Sequence, residues 1–226
     1  MHVVPRPGDP DGQVRAAAKA SSQWQAWNLL PGQAEPELDG APGWLDAVGV
    51  NHHHLSQWEL DTGVPLDRAA RDPRRPPVAA LLHTAWARYG RPLAMAETSH
   101  VGVHRVDWLH DILGQERQAR SDGVPVDAVC VYPLVDRPDW NDTLRWHRSG
   151  LWHVHPATLS RSADAPTLHA LRQWRAALLK IDPASLPQRP NLHWFGPLPY
   201  RVLARPVRAQ TAADVSGHPC AIPAGA

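Results

Sequence analysis

The stretch RPLAMAETS, residues 91–99, is the segment from which the fold can be inferred. Four apolar residues follow one another at positions 93–96 without polar alternation, which is typical of a strand covered on both faces of a parallel sheet. The run stops at a carboxylate, Glu97, and parallel α/β sheets and barrels place their chemistry at the carboxyl ends of strands. Glu97 is therefore a candidate functional residue, although a carboxylate at this position can equally cap the next helix or pair with an arginine.

Strand and helix patterns alternate four times along the chain. Besides the stretch above, apolar runs predict strands at residues 1–4, 44–50 and 126–132, and helical spacing predicts helices at 14–27, 78–89, 106–119 and 168–180. This alternation calls for a parallel sheet with right-handed crossovers. A closed (β/α)8 TIM barrel takes roughly 250 residues, so four units predict either an open sheet or half of a barrel.

The charge and cysteine content exclude several classes of protein. The chain has 226 residues, with 23 Lys and Arg against 22 Asp and Glu, so its formal charge of +1 provides no field for nucleic acid or an anionic membrane. No stretch approaches the ~20 apolar residues of a membrane span. Two cysteines do not make a disulfide framework, and Cys130 falls in an apolar strand pattern that predicts an inert core thiol. These features predict a soluble protein of the reducing cytoplasm.

Tryptophan and proline are both unusually frequent. The chain holds 11 Trp against one Phe and three Tyr, which favours a sugar-stacking pocket or a protein interface over ordinary core filling. Proline, with 24 residues in all, is concentrated in connections and in the last part of the chain. We therefore expect one α/β domain at residues 1–181, followed by a poorly ordered proline-rich tail at 182–226.

Three polar strand ends resemble the signatures of glycoside hydrolase family 1, the retaining β-glucosidase-like enzymes. GVNHHH at 49–54 is similar to the sixth-strand GxNYY motif of the family, and AETSH at 96–100 to its seventh-strand TENG motif. YPLVDRPDW at 132–140 resembles the eighth-strand WSLLDNFEW, and GLW at 150–152 the FGL that closes that loop. The order and spacing of the motifs imply the C-terminal half of a (β/α)8 barrel, about strands 5 to 8, with no cofactor and no metal.

The resemblance assigns roles around one sugar subsite. It makes Glu97 the nucleophile, and it makes Asn51 and His53 residues that line the subsite. His53 stands where the family has a tyrosine, so it can still donate a hydrogen bond, although its reach is shorter.

The eighth-strand loop supplies sugar recognition in the family. The resemblance places Tyr132 at the floor of the subsite, and it makes Asp139 and Trp140 contacts to the sugar. Asp139 is one methylene shorter than the glutamate of the family, which predicts altered contacts to sugar hydroxyls. The alternative is that the loop is only a tryptophan-rich cover, and Asp136 is expected to be structural, capping the turn.

The acid/base glutamate of the family lies in an NEP-type motif, and no Asn-Glu pair occurs in this sequence. Three hypotheses follow. The first is a truncated or split retaining β-glycosidase that needs another half. The second is a non-catalytic half-barrel that binds a sugar or a protein, and its unpaired sheet edges invite a homodimer. The third is a metal-dependent hydrolase in which His52, His54, His100 and Asp136 bind an ion.

Overall fold

The computed structural model of the protein describes residues 1–68 and 70–178, so the expected tail at 182–226 lies outside the described residues. The chain alternates strands and helices, with short hairpins late in the sequence. The elements are β1 (His2–Val4), α1 (Gly12–Ser21), α2 (Gln25–Leu29), β2 (Val48–Asn51), β3 (Gln57–Glu59), α3 (Val78–Tyr89), β4 (Leu93–Thr98), α4 (Arg105–Ser121), β5 (Val126–Val131), β6 (Arg137–Pro138), β7 (Trp146–His147), β8 (Trp152–Val154), β9 (Arg161–Ala163) and α5 (Ala165–Leu178).

The centre of the fold is a three-stranded parallel sheet in the order β2-β4-β5. Val48 pairs with Leu93, and Leu93 in turn pairs with Val126, so the three strands start level with one another. Helices α3 and α4 connect successive strands, as parallel pairing requires. The predicted α/β class and the parallel order of these strands are confirmed, and among the described residues the strands form an open arc rather than a closed barrel.

The two connecting helices form because apolar residues recur at helical spacing. In α3, Val78, Leu82 and Ala85 are buried against the sheet, and in α4 the same holds for Trp108 and Ile112. Helix α3 ends where predicted, at Gly90, whose φ of 60° is a left-handed conformation that glycine adopts without strain.

One face of the sheet is buried under these helices and the other is not. Val48, Leu93, Met95 and Val126 belong to the buried core, whereas Ala96 and Cys130 point to the opposite side and are exposed. The expectation of a strand covered on both faces is therefore wrong for β4. Within the described residues, the side of the sheet that carries Ala96 and Cys130 is thus the uncovered face.

Four local expectations also need correction. Strand β1 pairs in parallel with β3 instead of joining the three-stranded sheet. A 3-10 turn at Pro42–Trp44 takes up the start of the strand predicted at 44–50, which begins only at Val48. The helix predicted at 14–27 is interrupted by a 3-10 turn at Ser22–Trp24. Cys130 is exposed, so it is not a core thiol.

The polar loop after β5 contains two small antiparallel hairpins. Strands β6 and β7 form the first, and β8 and β9 form the second. Helix α5 then packs on α4, where the indole N–H of Trp174 donates to Nδ1 of His110 at 2.9 Å. None of the helices in residues 1–68 and 70–178 is long and apolar enough to cross a membrane.

Candidate active site

A register irregularity near the end of β4 determines where Glu97 lies. Val50 pairs with Met95, but the next residue of β2, Asn51, pairs with Glu97 and not with Ala96. Such a β-bulge inserts one extra residue and re-aims the side chains that follow it. Asn51 and Glu97 are thereby adjacent at the carboxyl end of the sheet. Two of the predicted site residues are thus brought together.

His53 is the side chain that contacts the Glu97 carboxylate. Its Nε2 lies 3.4 Å from Oε2 of Glu97, and both side chains are about one-third exposed. The turn that presents His53 is held by Ser56, whose hydroxyl accepts the His53 backbone N–H at 2.8 Å. In the described part of the chain, Glu97 neither caps α4 nor pairs with an arginine, so the structural alternative for this residue is not observed.

His52 points the opposite way, into the layer between the sheet and α4. Its ring stacks on Trp108 with 5.8 Å between centroids and 6° between planes. Burial lowers the pKa of His52 to about 3, with a smaller contribution from Arg75, so the ring is neutral at neutral pH. The indole N–H of Trp108 donates to Oγ1 of Thr98 at 2.9 Å. His52, Thr98 and Trp108 thus form a buried, mutually contacting layer between the sheet and α4.

Three further histidines lie close together beside Trp108, namely His54, His100 and His104. The rings of His54 and His100 lie 4.3 Å apart, and those of His100 and His104 lie 5.2 Å apart. Burial, followed by the neighbouring His100, lowers the pKa of His54 to about 4. Across residues 1–68 and 70–178, no group of three or more His, Cys, Asp or Glu side chains is arranged to hold a metal ion. The hypothesis of a metal-dependent hydrolase thus finds no support in the site.

The three predicted sugar contacts of the eighth-strand loop are spread over two segments. Tyr132 follows β5 directly and donates its backbone N–H to the carbonyl of Thr98 at 3.1 Å, so it lies next to the Glu97 strand. Asp139 and Trp140 follow β6 at the tip of the first hairpin. The Trp140 ring is 79% exposed and lies under the guanidinium of Arg137, 5.4 Å from it. No described contact joins Asp139 or Trp140 to Glu97.

His147 is a site residue that sequence reasoning missed. Its Nε2 lies 2.6 Å from Oδ2 of Asp139, and this bond, with the backbone N–H of Asn141, holds the pKa of Asp139 down at about 2. His147 is also close enough to His54 to lower the pKa of that ring. His147 comes beside Asp139 because residues 137–138 pair with 146–147 across the hairpin, and no sequence motif signals that pairing.

Asp136 makes structural contacts, as expected, but its carboxylate joins distant segments of the chain instead of capping its own turn. It is buried, and its carboxylate accepts the Gly150 backbone N–H at 2.9 Å and contacts His153 Nδ1 at 3.1 Å. The other ring nitrogen of His153 lies 3.2 Å from Asp164, which also pairs with Arg105. This buried network ties the second hairpin to α4 and α5.

Two other carboxylates are engaged elsewhere. Glu59 on β3 receives the guanidinium of Arg74 at 2.7 Å, and this hydrogen bond lowers the pKa of Glu59. Glu116 is buried inside α4 and pairs with Arg120, and burial raises its pKa. Neither has a described contact with Glu97. The site thus presents one glutamate with a histidine beside it.

The chain is similar to known proteins in its structure, and not in its sequence. No protein-family model matches the chain, and no curated protein matches it in sequence. The β-glycosidase of the hyperthermophile Thermosphaera aggregans superposes with a TM-score of 0.59 at 19% identity, over 77% of this chain and 42% of that one.

Two further solved structures give the same picture. The family 1 β-glucosidase of Thermotoga maritima has a TM-score of 0.57 at 18% identity, over 77% of this chain and 49% of that one. A hyperthermophilic β-glucosidase mutant has a TM-score of 0.56 at 19% identity, over 75% of this chain and 40% of that one. The chain thus has the fold of part of a glycosidase-type TIM barrel, and it spans between two fifths and one half of the length of these enzymes.

Proposed function

We propose that the chain carries the nucleophile and the sugar subsite of a retaining β-glycosidase. The observation that carries the proposal is the position of Glu97, which the bulge in β4 places beside Asn51 and in contact with His53 at the carboxyl end of a barrel-type sheet. In this chemistry the carboxylate attacks the anomeric carbon and forms a glycosyl ester, which water then hydrolyses with retention.

The neighbours of Glu97 fit that role. An N–H on His53 Nε2 can donate to the carboxylate and orient one oxygen toward the sugar carbon. Asn51, exposed beside it, offers an amide that can both donate to and accept from sugar hydroxyls.

The hairpin would complete the subsite. Asp139 is ionised at any ordinary pH and retains lone pairs for sugar hydroxyls, and Trp140 presents a free aromatic face. Tyr132, about one-third exposed next to the Glu97 strand, would line the floor. The substrate class implied is a β-glycoside.

The site as described needs a proton donor from elsewhere. A retaining enzyme has a second carboxyl group about 5 to 5.5 Å from the nucleophile. No Asn-Glu pair occurs in the sequence, and the described contacts of Glu97 include no carboxylate. We therefore infer that ordinary glycosides are turned over only when another half-barrel supplies the acid.

The uncovered face of the sheet supports the inference that a second half-barrel binds this chain. Gly49, Ala94 and Ala128 form one row across the three strands, and Ala96 and Cys130 continue it toward the site. Barrel interiors are filled by layers of larger branched side chains. A face of small residues leaves room for those layers to come from the second half.

The test is covalent labelling of the full chain by a 2-deoxy-2-fluoro-β-glucoside with a dinitrophenolate leaving group. This leaving group departs without protonation, so the missing acid does not prevent the first step. We expect a mass increase of one fluoroglucosyl group on the peptide that contains Glu97, and none in E97Q. Labelling of another carboxylate would refute the assignment, and so would no labelling by the folded chain, alone or mixed with a half-barrel of strands 1 to 4.

A second candidate function is a non-catalytic half-barrel that binds a sugar or a protein. The exposure of Trp140 and Leu144, at 79% and 92%, favours it, since apolar tips of this kind suit a binding surface. Such a module would bind a β-glucoside in calorimetry without forming the covalent adduct. The labelling experiment therefore separates the two functions.

A further inference from the structure

We propose that Trp108 is a positioning residue for the Glu97 carboxylate, acting through Thr98 and His52. The inference rests on the proposed function of Glu97 and adds the element that holds it in place. Trp108 lies on α4, behind the sheet, and only 1% of it is exposed. Its ring also lies near His100 and Arg75. The contacts that adjoin the proposed nucleophile are Thr98, the residue after Glu97, and His52, which is bonded to the Glu97 carbonyl.

The first contact holds the residue after Glu97. Thr98 is fully buried, and its Oγ1 is the acceptor of the Trp108 indole N–H at 2.9 Å. A buried indole N–H without an acceptor is costly, so this bond constrains the rotamer of Thr98 and the backbone that carries it. The carbonyl of the same threonine accepts the backbone N–H of Tyr132 at 3.1 Å, which joins β4 to the floor of the subsite.

The second contact holds the strand on the other side of Glu97. The backbone N–H of His52 donates to the carbonyl of Glu97 at 2.8 Å, and the His52 ring stacks on the Trp108 indole. Because burial keeps that ring neutral, the stack carries no charge. Glu97 is thus held at its carbonyl by one neighbour of Trp108 and at the next residue by the other.

This anchoring matters because the carboxylate has little support of its own. Its described side-chain contact is the one to His53, at 3.4 Å, and the side chain is 37% exposed. The backbone of β4 beyond the bulge therefore sets where this side chain begins, and so which positions its oxygens can reach. Attack on an anomeric carbon depends strongly on distance and angle, and a displacement of about 1 Å can cost two orders of magnitude in rate.

Labelling kinetics test the proposal. In the labelling step, a Glu97 oxygen forms a bond to the anomeric carbon while the bond to dinitrophenolate breaks and its electron pair leaves with the phenolate. W108F keeps an aromatic ring without the N–H, and T98V keeps the side-chain volume without the hydroxyl. We expect both to lower the first-order labelling rate constant by about tenfold or more. The dissociation constant of the fluoro-sugar should change much less than the rate constant, because neither variant alters a side chain proposed to contact the sugar.

Two control variants separate positioning from general damage. T98S keeps the hydroxyl acceptor and should restore most of the labelling rate lost in T98V. W86F makes the same change in another tryptophan packed against the core, on α3, and should leave the rate unchanged. Equal labelling rates in wild type, W108F and T98V would overturn the proposal, as would an equal loss in W86F.

Amide hydrogen exchange gives a readout that does not depend on catalysis. In W108F and T98V, the amides of His52 and Tyr132 should exchange faster, while that of Leu93, bonded to Pro125 at the far end of the strand, should not. Unchanged exchange at His52 and Tyr132 would refute the anchoring even if no labelling occurs. Absence of labelling in the wild-type chain would instead count against the proposed function.

Discussion

The imidazole of His53 and the carboxylate of Glu97 lie 3.4 Å apart at the ends of neighbouring parallel strands. Both side chains are about one-third exposed, so their contact contributes little to the free energy of unfolding. We predict that H53F slows the labelling of Glu97 by the fluoro-sugar about tenfold, because the carboxylate loses the donor that orients it.

A tyrosine at this position offers a matched control. H53Y keeps a ring and supplies a hydroxyl donor, so its labelling rate should stay closer to wild type than that of H53F. Both variants should melt within a few degrees of wild type. Equal rates in all three proteins would show that His53 does not assist the nucleophile.

The burial of His52 predicts a loss of stability in acid. Its pKa is about 3 in the folded chain, against an ordinary 6.5 in the unfolded chain. As the pH falls, the unfolded state therefore takes up a proton at His52 before the folded state does. The contribution of neutral His52 to the free energy of unfolding is complete above pH 6.5 and is lost as the pH falls toward 3. At pH 5 the loss amounts to about 2 kcal/mol.

Urea unfolding at pH 7 and pH 5 checks this dependence. The variant H52F keeps an aromatic ring against Trp108 but has no titrating nitrogen, so its stability should change less between the two pH values. His54, whose pKa burial lowers to about 4, adds a drop of the same sign in both proteins. Parallel losses in wild type and H52F would contradict the prediction.

Gly150 should not tolerate a side chain. A Cβ at this position would lie 2.3 Å from the carbonyl carbon of Val135 and 2.5 Å from the backbone nitrogen of Asp136, and neither can move aside cheaply. We expect G150A to lower the free energy of unfolding by about 1–3 kcal/mol. G43A is the control, because a Cβ there meets nothing within 4 Å. Thermal melts of the two variants give the comparison.

Trp140 should be dispensable for folding but should contribute to binding of the sugar. Since its ring is 79% exposed, W140A should melt within about two degrees of wild type. If the ring contacts sugar, the dissociation constant of the fluoro-sugar should rise about tenfold, and calorimetry measures that change directly. An unchanged dissociation constant would show that Trp140 is not part of the proposed subsite, without bearing on its other residues.

The alternating strands and helices could be predicted because the spacing of apolar residues shows which side of each element is buried. The apolar spacing in α3 and α4 and the apolar runs of β4 and β5 all correspond to observed elements. The pairing of β1 with β3 could not be predicted, because three-residue strands carry too little pattern to select a partner. The exposure of Cys130 escaped prediction for a different reason, since an apolar run does not reveal which face lacks a cover.

Part of the candidate site could be predicted because the carboxyl ends of parallel strands lie at the same edge of a sheet. That rule brings Asn51 and His53 next to Glu97, as the structure has them. The bulge at Ala96 is a local departure from regular pairing that single residues do not signal. The pairing of His147 with Asp139 depends on the register of a hairpin whose strands are only two residues long.

The exposed thiol of Cys130 lies on the uncovered face of the sheet and can report on whether that face is covered. A thiolate reacts with alkylating reagents at a rate that reflects its access to solvent. Seating a second set of strands against this face would slow that reaction at Cys130, and their departure would restore it. The modification rate of Cys130 would thus measure whether this face is covered, independently of any sugar chemistry.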